Sequence, residues 1–115
     1  MKVIHASIVL NEEEFIRKSI AQHLHLCDHW IFVEGADERY PKEHVNENGL
    51  SKDRTFLELS AFPDTDQKIS VIRNGWAKDK SELRNRYMEK IEQITGGEDC
   101  LLIVFDIDEF LTHDD

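Results

Sequence analysis

Lys2 to Ile20 reads KVIHASIVLNEEEFIRKSI, and two different periodicities meet inside it. Lys2 to Leu10 is rich in β-branched residues, which suit a pleated, half-buried strand. That run stops at Asn11. Asn11 with Glu14 three places on is a helix-start signature: a capping side chain, then an acid that suits the positive end of a helix. Phe15, Ile16, Ile20 and Leu24 follow at helical spacing, so the pattern predicts an amphipathic helix over about residues 12–26.

The same alternation continues along the chain. His29 to Glu34, HWIFVE, reads as a second strand. The polar stretch that follows, GADERYPKEHVNENGL, is punctuated by Gly, Pro and Asn and reads as a long loop, an insertion over about residues 36–50. Ser51 or Asp53 would cap a short helix carrying Phe56, Leu57 and Leu59. Lys68 to Arg73, KISVIR, is a third strand that breaks at Asn74-Gly75. Asp79 and Glu82 repeat the capping pattern ahead of Leu83, Tyr87, Ile91 and Ile94, and Gly96-Gly97 ends that helix. Cys100 to Phe105 is a fourth strand. Apolar strands alternating with amphipathic helices predict an α/β fold, an open and mainly parallel sheet with helices on both faces. In such sheets ligands bind beyond the carboxyl ends of the strands. Asn11, Glu34-Gly35-Ala36, Asn74-Gly75-Trp76 and Asp106-Ile107-Asp108 are the residues expected there.

Composition narrows the function. The 115 residues carry a net charge of −10, with 40% hydrophobic and 33% charged residues. That charge argues against a nucleic-acid partner, because phosphate backbones are bound by clustered Lys and Arg. No apolar run is long enough to span a bilayer, and the first residues lack a signal peptide's basic start and cleavage site. Cys27 and Cys100 are too few for a disulfide framework, and both fall at the sheet edge opposite the expected site, where they would come near each other. The expectation is a soluble, cytoplasmic protein with reduced thiols. Arg73 to Arg86, RNGWAKDKSELRNR, holds five basic and two acidic residues, a local +3, while the remainder has nine basic and twenty-two acidic, or −13. A solvated helix face accounts for such a run. An anionic ligand would still find its positive groups mainly here, or on a metal ion.

The fourth strand ends in VFDIDEF, residues 104–110. Three carboxylates aimed at one point repel one another unless a cation or a proton sits among them. Asp106 and Asp108 at i and i+2 can point the same way and share one hard divalent cation, its other positions filled by water and phosphate oxygens. A solvated turn after a buried strand is the competing account. A calcium loop fits poorly, with Phe110 where a third oxygen ligand belongs and Leu111 where Gly is needed. Other side chains have plainer accounts: Trp76 as packing rather than stacking on a base or sugar, His5 as a core histidine, and His25 and His29, at i and i+4 on the opposite edge, as ordinary side chains rather than a metal pair.

The pattern resembles the GT-A glycosyltransferases, family 2 and relatives carrying a D-x-D-E-F motif. The resemblance covers most of the chain as the nucleotide-binding first half of such a domain. SIVLNEEEFI matches the family's first strand–helix junction, and Glu34 occupies the place of the acid that contacts the nucleoside base. Ser51, Asp53 and Thr55 supply an S-x-D-x-T sequence, displaced by the insertion. Asn74-Gly75 with Arg84-Asn85 represents the N-x-G…R-N signature, and Asp106 with Asp108 represents the metal-holding D-x-D. The resemblance implies binding of a UDP- or GDP-linked sugar through Mn²⁺ or Mg²⁺ and transfer of the sugar to an acceptor. Metal ligands would be Asp106 and Asp108; nucleotide-binding residues would be Glu34, Asp53, Lys80, Arg84 and Asp106.

The family's acceptor half and catalytic base come after the D-x-D, whereas the sequence stops at Asp115. Residues 1–115 are therefore expected to be one incomplete domain, inactive alone. Two alternatives stand beside this expectation. One is a non-catalytic module that pairs with another copy through an exposed sheet edge. The other is a haloacid dehalogenase-type phosphatase with Asp106 as nucleophile and Asp108 as general acid, although Glu109 and Phe110 depart from that motif.

Overall fold

In a computed structural model, which describes residues 1–104, 106 and 107, the chain forms four strands and three α-helices. They run β1 (Lys2–Val9), α1 (Glu13–His23), β2 (His29–Glu34), α2 (Thr55–Ala61), β3 (Ile69–Arg73), α3 (Lys80–Thr95) and β4 (Cys100–Val104). Short 3₁₀ turns occupy Leu24–Leu26 and Lys42–His44. Every strand pair is parallel, and the spatial order is β3-β2-β1-β4. The expected open α/β sheet is what the chain adopts.

Strand alternation divides the core into two layers, because successive side chains point to opposite faces. Ile4, Ala6, Ile31 and Val33 pack under α3 against Leu83, Tyr87 and Ile91. Val9, Trp30 and Phe32 pack on the other face against Ile16 and Ile20 of α1 and Leu59 of α2. Trp30 is fully buried, stacked on Phe32 at 4.8 Å with His5 edge-on at 5.2 Å. Its indole N–H donates to Ser7 Oγ. His5 is thus the core histidine its position within β1 suggests. His29 bonds through Nε2 to Ser70 Oγ at 2.7 Å, a structural contact between adjacent strands.

Three local expectations need correction. Asn11 does not cap α1; it has φ +52, and the N-cap position is Glu12, which makes no side-chain cap. The helix expected over about 12–26 ends at His23 and tightens into the 3₁₀ turn. The cap position of α2 is Arg54, which makes no side-chain cap, rather than Ser51 or Asp53, although Asp53, one residue before it, accepts from the Thr55 N–H that opens the helix. The third helix follows its pattern: Asp79 accepts from the Glu82 N–H, and Gly96 closes α3 in the left-handed conformation at φ +64. Cys27 and Cys100 are free thiols. Cys27 lies in the layer under α1 and Cys100 packs against the layer under α3, so the sheet separates them.

The insertion is an ordered wall. Ala36 N–H donates to Gly49 O, Ala77 N–H to Ala36 O and Trp76 N–H to Asn48 O. Asn46 Oδ1 accepts from the N–H groups of Asn48 and Leu50. Gly75, at φ +77, lies so close to this wall that a Cβ there would meet Asn48 O at 2.4 Å. Among the described residues no helix is long and apolar enough to cross a membrane.

Candidate functional site

The strand order creates one crevice. From β1 the chain passes through α1 to β2 on one side; from β3 it returns through α3, on the opposite face, to β4 on the other side of β1. The point between β1 and β4 is where the order reverses, and open α/β sheets bind ligands outside the carboxyl ends of the strands at such a point. Asp106 follows β4 there and is exposed. Ile107 beside it is fully buried in the layer under α1, which pins this end of the chain against the sheet. Asp108 and Glu109 lie outside the described residues.

The carboxyl end of β1 meets the residues of the S-x-D-x-T sequence. Three successive N–H groups at the start of α1 are taken by its three side chains. Asn11 N–H donates to Ser51 Oγ at 3.0 Å, Glu12 N–H to Thr55 Oγ1 at 2.7 Å, and Glu13 N–H to Asp53 Oδ2 at 3.1 Å. The capping is reciprocal, since Glu13 Oε1 accepts from the Arg54 N–H at 2.7 Å. Asp53 Oδ1 also accepts from both the N–H and the hydroxyl of Thr55. The bonds from the Glu12 and Glu13 N–H groups satisfy donors that a helix start leaves open, and the bond from Asn11 fixes the residue that leads into it. Asn11 is thereby released to hold the insertion, donating to His44 O at 2.6 Å and accepting from the Lys52 N–H at 2.9 Å.

Glu34 ends β2 on the α1 side and is fully buried. Oε1 accepts from Arg73 Nε at 2.9 Å, and Oε2 accepts from the Ser51 N–H at 3.1 Å. The guanidinium of Arg73 lies 3.9 Å from the Phe56 ring centre, so it is held from both sides. Both carboxylate oxygens are thus engaged inside the protein, and they tie β2, β3 and the end of the insertion together. Arg73 was not singled out as a partner in the sequence. Its i+39 separation from Glu34 leaves no local signal, and only the parallel pairing of β2 with β3, register Glu34↔Arg73, reveals it.

Lys80 and Arg84 occupy the first turn and a half of α3, are exposed, and form no ion pair with a described residue. Arg86 in the same run is committed to Asn74 Oδ1 at 3.0 Å and Glu89. Of the sequence-predicted nucleotide-binding residues, then, Glu34 and Asp53 are built into the scaffold, while Lys80, Arg84 and Asp106 lie at exposed positions. Among the described residues no group of three or more His, Cys, Asp or Glu side chains is placed to hold a metal ion. A cation on a D-x-D pair does not require one: Mg²⁺ characteristically takes one or two carboxylates and completes its shell with phosphate oxygens and water.

Comparison with family models, with curated proteins and with solved structures returns no match for this chain.

Proposed function

We propose that this domain is the sugar-nucleotide-binding half of a GT-A-type glycosyltransferase, with Asp106 and Asp108 as the divalent-metal ligands. The observation that carries this reading is the exposed position of Asp106 at the β1/β4 switch point, where open α/β sheets receive their ligands. Hard carboxylate oxygens at i and i+2 suit Mg²⁺ or Mn²⁺. The bound ion would neutralise the diphosphate and stabilise the charge that develops on it as the glycosidic bond breaks. Lys80 and Arg84 supply further positive charge from α3. The span from β4 to β2 is about 10 Å at ordinary strand spacing, a distance that a nucleoside diphosphate can bridge. Glu34, Asp53 and Asn11 act here as scaffold, fixing the loops that wall the crevice. The donor is a UDP- or GDP-linked sugar, and the reaction is its transfer to an acceptor.

Calorimetry of UDP and GDP with and without Mn²⁺, on the native chain and on Asp106→Ala and Asp108→Ala, tests the proposal. Binding that needs the metal and disappears in both variants is expected. Metal-independent binding, or none in a folded sample, refutes it.

A second reading has its own observation. The edge strand β4 leaves Leu101, Ile103 and Val104 between 40% and 53% exposed, and a bare apolar edge invites pairing with another chain. A non-catalytic module that self-associates through β4 would sediment as a dimer and revert to monomer on Ile103→Lys.

A further inference from the structure

We infer that the open groove between the insertion and the β3–α3 turn is a saccharide-binding site, with Trp76 as the platform for a neutral pyranose ring. The groove has a volume of about 800 Å³, within the range of small-molecule sites and larger than one sugar ring needs. Its residues come from the insertion and from the stretch around the start of α3, so the inference does not rest on the metal site at Asp106.

The platform is built before any ligand arrives. Gly49 packs against the indole so closely that a Cβ there would stand 2.8 Å from both Cγ and Cδ2. The indole N–H donates to Glu47 O at 2.9 Å, and the backbone N–H of Trp76 donates to Asn48 O at 3.2 Å. With its one polar atom already satisfied, the half-buried ring has only apolar π surface to offer the groove. Its immobilisation has been met by folding, and preorganisation of this kind favours binding.

The rim decides the ligand class. Glu38, Glu47 and Glu82 contribute carboxylates, and Lys42 and Lys78 contribute ammonium groups. Glu82 uses one oxygen on the Lys78 N–H, and Asn46 uses its Oδ1 on its own turn, leaving its NH₂ as donor. Carboxylates outnumber ammonium groups, which disfavours an anion such as a diphosphate. A purely apolar ligand would strip water from five charges without replacing it. A pyranose meets both demands, with C–H bonds on one ring face for the indole and hydroxyls around the perimeter that donate to carboxylates and accept from lysine. The volume admits a di- or trisaccharide.

Saturation-transfer NMR with methyl β-glucoside, methyl β-galactoside, methyl α-mannoside, lactose and N,N′-diacetylchitobiose, without metal or nucleotide, tests this. Tryptophan emission provides a second readout, because Trp30 is fully buried in the core and Trp76 alone faces the groove. Transfer to ring C–H protons with a shift in emission is expected from at least one saccharide, weakened about tenfold or more by Trp76→Ala. Lys42→Ala and Glu38→Ala, both at exposed positions that leave the fold intact, should weaken it severalfold, which covers the case in which Trp76→Ala fails to fold. Absence of transfer from the whole panel on folded protein overturns the inference. So does transfer that the rim variants leave unchanged, or transfer that appears only with UDP and Mn²⁺. Failure here leaves the calorimetric test of the metal site untouched, since that test contains no free saccharide.

Discussion

The pair formed by Glu34 and Arg73 offers the sharpest test of what holds the ligand edge together. Arg73→Met keeps a long apolar stem but removes the guanidinium, leaving Glu34 Oε1 without a partner among the described residues while Oε2 keeps the Ser51 N–H. Breaking a buried pair by removing one partner costs roughly 3–5 kcal/mol, because a charge stays buried without compensation. The Arg73 side chain is 40% exposed, against 0% for Glu34, so water can reach the vacated place. We therefore expect about 3 kcal/mol, the low end of that range. Glu34→Gln removes the charge and keeps the shape, but replaces one of the two accepting oxygens with an NH₂ group that faces a donor, at a cost of about 2 kcal/mol. The double variant should then cost much less than the sum, with a coupling of about 2 kcal/mol in urea unfolding. The same break should speed hydrogen exchange at the Ser51 amide, whose acceptor is Glu34. A loss below about 1 kcal/mol for Arg73→Met, or single costs that add to within about 0.5 kcal/mol, would refute the reasoning.

Asp53→Ala removes acceptors at the start of both α1 and α2 and should cost about 1–2 kcal/mol in thermal or urea unfolding, the range of a strong helix cap. Gly75→Ala should cost at least about 1–2 kcal/mol from the positive φ alone, plus the collision with Asn48 O, and a neutral result in urea unfolding would show that the insertion gives way easily. Burial pushes the Cys27 thiol up to about 11, so a thiol reagent at pH 8 should modify the half-exposed Cys100 first and reach Cys27 only after denaturation, as read by peptide mapping. Burial, with a smaller contribution from His23, lowers the His5 pKa, and burial followed by Lys90 lowers that of His29. The unfolded chain therefore takes up these protons more readily than the folded one. The associated stability is present above the ordinary histidine value of about 6.5 and is lost as pH falls below it. His5→Phe, which keeps a ring against Trp30, should flatten that acid limb in urea titrations run between pH 7 and 5.

The kind and order of the elements were readable along the chain, because the signals are local. β-branched runs, apolar residues at helical spacing, the Asp79–Glu82 cap and the Gly96 stop each involve residues a few positions apart, and each marks an element present in the structure, α1 alone ending sooner than its spacing suggests, at His23. A parallel α/β sheet followed from the alternation of those elements. The local signal misled where a distant group competed for the same donor. Asn11 had the chemistry of a cap, but Ser51, Thr55 and Asp53 come from forty residues away to take the N–H groups at the start of α1. Glu34 looked like a ligand-facing acid because it ends a strand. The side of β2 on which it falls instead points it into the layer under α1, where register aligns it with Arg73.

The placement of Asp106 combines both levels. An apolar run ending in acids marked the residue from the sequence, yet only the order β3-β2-β1-β4 sets it beside β1 at the reversal of the sheet. The groove at Trp76 depends wholly on the second level, since an insertion that reads as a polar loop becomes a wall only by packing on the turn after β3. Periodicity is a property of neighbouring residues and can be read from them directly. Hydrogen-bond partners across 40 positions are fixed by which strands lie side by side, and that is settled only when two hydrophobic layers close around one sheet.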